Sequence, residues 1–320
     1  MKEVAPGLFV ESSYAPYNLV LIKTDQGGVL VDLPPNPAQA MNWLEQARAV
    51  LGAIRYVVMT DAQRERQFGT VLCEAPMIAT EATLRAMMAY DEERPRRDFL
   101  EDLANQFPDE MESLSQMSAE HRPHPRKPTV AFNEALSLYA DDRVLQFEAV
   151  EGAAEGSLWI FVPDAGILIA GDTVVGDDVP LMAATRDSKA WLNTMTGLAR
   201  RQDVKMIVPG RGVASLGLGD IEPQREFMRV MRRSARTLAR KGHPTLSLTQ
   251  TAQELGQTFY NQQGNRAVKK IKAGLEALVV EVKSAEAALA EEQALAEQQA
   301  LADDESQAVE GPQTETDLSS

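Results

Sequence analysis

The side chains best suited to chemistry stand at the ends of strand-like runs. Asp61, Gln63, Glu65 and Arg66 fall in "TDAQRER", directly after the apolar run "YVVM". Asp32 closes "GGVLVD", Asp172 stands in "IAGDT", and Arg211 stands between glycines in "PGRG". Asp61, Glu65 and Asp172 offer oxygen ligands, which suit Mg²⁺ or Mn²⁺. Arg66 and Arg211 offer permanent cations whose guanidinium forks match carboxylates. A third reading stays open beside these two: an ordinary charged loop, with Asp172 capping neighbouring backbone N–H groups. A side-chain nucleophile has no visible base, because neither Cys73 nor Ser157 has a histidine nearby in the pattern.

Composition narrows the chemistry further. Histidine, the commonest ligand of zinc enzymes, occurs only as His121, His124 and His243. The first two lie in a proline-rich connector, "EHRPHPRKPT", and the third lies between helices. Cys73 is the single cysteine, so an intrachain disulfide and a cysteine-rich zinc site are both excluded. Of the net charge of −15, residues 281–320 hold −10, from 11 acidic residues against Lys283 alone. That acidity argues against a nucleic-acid partner, which needs clustered Lys and Arg. No apolar run is long enough to span a membrane. The N-terminal "MKEVAPGLFV" lacks the apolar core of a secretory signal, and a cytoplasmic location is expected.

The elements that must hold these residues read clearly. "GLFV", "YNLVLIKT" and "GGVLVDL" are strands, with "TDQGG" a hairpin turn. A helix follows over 36–51, with Asn36 as N-cap, Pro37 in the first turn and Gly52 beyond the end. Met41, Leu44, Ala47 and Leu51 share one face of it by helical spacing. "IRYVVM" and "PMIAT" are strands. Residues 81–120 read as a charged, Met-rich helical insert broken near Pro95 and Pro108. Five strands resume through "TVAF", "LSLYA", "RVLQFEAV", "SLWIFVPD" and "ILIAGDTVV", then the helix "SKAWLNTMTGLARR" and the strand "VKMIVPG". Beyond residue 220 the pattern is helical, over about 222–241, 247–262 and 264–302. Each half is a strand meander followed by helix and strand, and mixed sheets covered by helices follow.

Four of these segments, in order, resemble landmarks of the metallo-β-lactamase-fold superfamily, over about residues 5–215. "GGVLVDLPP" resembles its strand ending in Asp, and "VVMTDAQRERQFGT" its T-H-x-H-x-D-H-x-x-G loop. "EGAAEGSLWIFVPDAGILIAGDT" resembles G-H-T-x-G-S followed by G-D-T, and "IVPGRG" resembles P-G-H-G. The resemblance implies that Asp61, Gln63 and Arg66 stand where loop histidines would be, and Glu65 where the loop aspartate would be. Ala153 and Arg211 stand at the remaining histidine positions. Asp172 keeps the bridging aspartate position, and Asp32 keeps a position behind the ligands. Ala153 has no donor atom, and a guanidinium has no lone pair to give. Two such cations at ~4–5 Å would repel a divalent ion by several kcal/mol each.

The fold expected is α/β (α+β): a metallo-β-lactamase-like αββα sandwich over 1–220, with a helical insert at about 81–120. A C-terminal helical extension spans 221–302, and an acidic disordered tail spans 303–320. The expected function is that of a pseudoenzyme without zinc or other cofactor, with a binding or assembly role. Its pocket is Asp32, Asp61, Gln63, Glu65, Arg66, Ala153, Asp172 and Arg211, with Arg66 and Arg211 paired to the carboxylates. The cleft can take a small polar or anionic ligand, and the C-terminal helices or tail a protein partner. The alternative is a metal-dependent hydrolase using Asp61, Glu65 and Asp172. The repeat "ALAEEQ", "ALAEQQ", "ALADDE" has a period of six, which turns Leu289, Leu295 and Leu301 to three sides and forms no coiled-coil seam.

Overall fold

The computed structural model describes residues 1–71, 73–93, 101, 104–105, 125–140, 142–240 and 245–309. One sheet has seven strands in sequence order: β1 Lys2–Ala5, β2 Leu8–Glu11, β3 Leu19–Thr24, β4 Gly27–Val31, β5 Ile54–Val58, β6 Met77–Thr80 and β7 Val130–Phe132. The first four form an antiparallel meander, and β4 through β7 are parallel. The second sheet has the order β12-β11-β10-β9-β8, from β8 Ala135–Ala140, β9 Arg143–Ala149, β10 Leu158–Val162, β11 Ile167–Val175 and β12 Met206–Arg211. Here too the meander is antiparallel and the last pair, β11 with β12, is parallel. The similarity of the two halves is thus a similarity of strand pairing: an antiparallel meander, a helix, and a strand parallel to the meander's last.

Period-2 alternation sorts the strand residues into layers. Val20 and Ile22 of β3 face Ile160, Val162 and Ile169 of the other sheet, in a core between the sheets. Leu19 and Leu21 face the opposite way, against helix α1 (Pro37–Leu51). The outer face of the second sheet, with Trp159, Phe161 and Leu168, packs on helices α4 (Ser188–Leu198), α5 (Glu222–Arg240), α6 (Thr245–Tyr260) and α7 (Gly264–Val309). The result is αββα, with helices stacked on the second sheet. All nine residues of β11 are buried, as expected of a strand covered on both faces.

α1 begins as its sequence dictates: Asn36 Oδ1 accepts from Gln39 N at 2.9 Å, and Gly52 closes the helix at φ 76°. Its buried stripe is Ala40, Trp43, Leu44, Ala47 and Leu51. Met41, expected on that face, is 43% exposed, because the i, i+3, i+4, i+7 series starts one residue earlier and is anchored by Trp43. Each of the last two helices turns one apolar face to the core: Leu248, Ala252, Leu255, Ile271, Leu275 and Val279 are buried, and Phe259 and Val268 are partly buried.

Other expectations need adjusting or fall outside the described residues. β1 is a strand that the sequence does not signal, since "KEVA" carries no apolar alternation. The charged loop after β5 is partly helical, forming α2 over Arg64–Gly69. The insert opens as helix α3, Glu81–Glu93; its expected breaks at Pro95 and Pro108, and His121, His124 and His243, lie outside the described residues. α7 runs to Val309, past the expected tail start at 303, and residues 310–320 lie outside the described residues.

Candidate functional site

The strands deliver the ionisable residues to one end of the sandwich. Asp32 follows β4, Asp61 follows β5, Asp172 lies within β11, and Arg211 ends β12. Parallel pairing of β4 with β5 and of β11 with β12 puts these ends side by side. The β11–β12 register slips at Gly171, which takes φ 53° and lies against Thr60. Asp32 itself adopts φ 58°, a conformation uncommon for a non-glycine residue. It is held there by Thr60, whose N donates to Oδ1 at 3.0 Å and whose Oγ1 donates to Oδ2 at 2.7 Å.

Arg66, projected from α2, is the hub. Its Nη1 lies 2.5 Å from Asp32 Oδ2 and its Nη2 donates to Asp172 Oδ1 at 2.7 Å. Its Nε lies 3.2 Å from Asp61 Oδ1, an ion-pair distance without hydrogen-bond alignment. All four of these residues are at most 3% exposed. Arg211 completes the set. Its Nε donates to Asp172 Oδ2 at 2.8 Å, and its Nη2 reaches Glu65 Oε2 at 3.1 Å and Gln63 Oε1 at 3.4 Å. Gln63 Nε2 donates to Asp61 Oδ2 at 3.1 Å and to Asp172 Oδ2 at 3.0 Å. Asp172 therefore accepts from three side chains.

Four carboxylates meet two guanidinium groups, and the titration behaviour follows. Burial raises Asp61 to about 6, against the pull of Arg66 and with added push from Asp172 and Asp32. Burial also raises Asp32, although Arg66 and Thr60 oppose it. For Asp172 burial is outweighed: Arg66, Arg211 and the bonds from Arg211 and Gln63 hold it below the ordinary range. Asp172 is thus the fixed anion of the cluster, while Asp61 holds its proton into the mildly acidic range.

Sequence reasoning missed Tyr17. Its hydroxyl donates to Glu65 Oε2, and the Arg211 guanidinium lies 4.5 Å from its ring centroid. Backbone pairing brings it there: Gly212 N donates to Pro16 O and Asn18 N to Gly210 O, both at 2.9 Å. "YAPYN" carries no periodic signal of that crossing. Nor does the sequence reveal that Asp32 touches Arg66 directly. Of the eight residues singled out, seven are linked by these contacts. The eighth, Ala153, is fully buried in the apolar core of the second sheet. Its neighbour Ala154 instead helps to line a cavity of about 410 Å³ with Ala62, Gln63, Arg64, Glu65 and Ala184. Among the described residues, no group of three or more His, Cys, Asp or Glu side chains is arranged to hold a metal ion.

No protein-family model and no curated protein matches the sequence. Solved structures do match. A metallo-beta-lactamase family protein from Thermus thermophilus is 18% identical, with 89% of this chain and 95% of that chain covered, at a TM-score of 0.58. The stereoselective inverting sec-alkylsulfatase Pisa1 from Pseudomonas sp. is 14% identical over 87% of this chain and 49% of that chain, at a TM-score of 0.54. A metallo-beta-lactamase from Pontibacter korlensis is 14% identical over 71% of this chain and 97% of that chain, at a TM-score of 0.52. With two meander sheets packed face to face and helices outside both, the chain adopts the metallo-β-lactamase fold.

Proposed function

We propose that this chain is a metal-free relative of the fold's hydrolases, without hydrolytic turnover, and that its remodelled cleft binds a small polar or anionic molecule. The observation that carries this reading is the state of Asp172. Arg66 donates to one of its oxygens and Arg211 and Gln63 to the other, three of its roughly four lone-pair sites, so a metal cation would have to enter against a guanidinium on each oxygen. The donor set does not fit zinc. Among the described residues the cluster contains no imidazole or thiolate, and its guanidinium groups oppose a further positive charge.

The alternative, an oxygen-ligand site of Asp61, Glu65 and Asp172, would have to pull each carboxylate from an existing partner. Asp61 would leave Gln63 and Arg66, and Glu65 would leave Tyr17 and Arg211. The cavity beside the cluster supports a binding role. Its wall combines the small residues Ala62, Ala86, Ala154 and Ala184 with the polar Gln63, Arg64, Glu65 and Glu155.

Metal analysis of the purified full chain, with an ester and lactone hydrolysis assay run with and without chelator, tests the reading. No stoichiometric divalent ion and no chelator-sensitive turnover are expected. A tightly bound ion that is lost in Asp172→Ala would overturn it in favour of the oxygen-ligand enzyme.

A further inference from the structure

α5 carries its arginines on the side away from the core. Phe227, Met228, Met231, Ala235 and Leu238 are buried, while Arg229, Arg233, Arg236 and Arg240 recur at i, i+4, i+7 and i+11 on the opposite face. The first turns of this face are neutralised in place: Glu222 pairs with Arg225 and Arg229, and Glu226 pairs with Arg229. The last turns are not. Arg233, Arg236 and Arg240 are exposed, and none has an anionic partner among the described residues.

α7 supplies the opposite charge. It packs against the domain as far as Val279 and then leaves it, with Lys283 through Ala296 all exposed. From Ser284 to Val309 this arm contains seven acidic residues and no basic one. Those 26 residues extend about 39 Å as a helix. The arm also exposes Leu289, at 55%, flanked at i−3 and i+3 by Glu286 and Glu292, so docking that side would bury apolar surface as well as pair charge. At its root the same chemistry is already in use, where Glu281 of α7 meets Arg232 of α5 at 3.3 Å. Because α7 continues as one helix beyond that point, its arm does not fold back onto the α5 of its own chain.

We propose that the outward face of α5 at Arg233, Arg236 and Arg240 is the docking surface for the acidic α7 arm of a second copy of this chain. Two copies related by a twofold axis satisfy both faces and both arms at once. The proposal does not depend on the metal-free reading, and hydrolysis assays do not bear on it.

Sedimentation of the full-length chain at ~0.05 M and ~0.5 M salt tests it, since exposed pairs are screened as salt rises. A dimer at low salt that dissociates at high salt is expected. R233E/R236E/R240E and, separately, E286K/E291K/E292K should each be monomeric at low salt, with at least tenfold weaker self-association. All six side chains are exposed, and circular dichroism verifies that each variant is folded. Mixing the two variants should restore a dimer, because each then offers the charge that the other needs. A wild-type monomer at every concentration in low salt would overturn the proposal. So would a dimer indifferent to both charge reversals, or an Arg face that takes up only an unrelated polyanion.

Discussion

Arginine meets carboxylate in two settings in this molecule, and the setting decides what the pairing is worth. At the strand ends, Arg66 is 2% exposed and is enclosed by Asp32, Asp61 and Asp172, none above 3%. On α5, the Arg229 side chain is 34% exposed and pairs with Glu222 and Glu226, at 53% and 49%. The distances are similar, 2.5–3.2 Å against 2.8–3.1 Å, so geometry alone does not distinguish them. Water does. Removing one member of a buried cluster leaves the others desolvated and unpaired, whereas a surface partner is simply rehydrated.

The largest effect should therefore come from Arg66→Ala. It takes the guanidinium partner from buried Asp32 and Asp61 and one of two from Asp172, and should cost about 3–5 kcal/mol in denaturant unfolding. A loss below ~1 kcal/mol would mean that water enters the cluster and the two settings are alike.

A second test concerns protons. Asp61 keeps its proton to about pH 6 when folded, against an ordinary 3.8. Between those values the folded state binds more protons than the unfolded state. This contribution is therefore fully present below about pH 4 and lost as pH rises through about 6. It is worth a few kcal/mol at most, at ~1.4 kcal/mol per pH unit. Asp32 acts in the same direction, and Asp172 in the opposite one, its contribution being lost as pH falls below the ordinary carboxylate range. Asp61→Asn should accordingly flatten the fall in stability between pH 4 and 6, as thermal melts across that range would show. An unchanged slope would remove Asp61 as the site of the held proton.

The smallest effect is expected at the surface. Arg229→Ala should change stability by roughly 0.5 kcal/mol or less, and less still at high salt. A loss comparable to that of Arg66→Ala would erase the contrast between the two settings.

How far these settings could be read from sequence differs as well. The strand-end residues could be picked out because their segments resemble the fold's landmarks in order, each a short apolar run closing on Asp, Gly, Pro or Thr. Gln63, Glu65 and Arg66 came into view through the likeness of their loop to T-H-x-H-x-D-H-x-x-G, although the short helix that aims Arg66 inward did not. Tyr17 stayed hidden because its partner Arg211 is far along the chain, and the backbone bridge joining them has no local signature. Asp32 could be placed in sequence but not in contact, since its reach to Arg66 depends on the left-handed turn that Thr60 fixes. The face of α1 was misjudged at Met41 for a simpler reason: two helical series one residue apart look equally apolar until Trp43 is seen to be the anchor.

Gly210 carries a last consequence. A Cβ there would lie 2.4 Å from the Asp172 carboxylate and 2.4 Å from the Gly171 backbone. The small residue in "PGRG" is required by how closely two neighbouring strands run, whatever occupies the next position. Spelling of this kind reports architecture, and only the letters between the glycines report reactivity. A search keyed to the glycines would recover the fold alone; it is the letter after Gly210, Arg211, that bears on what the cleft does.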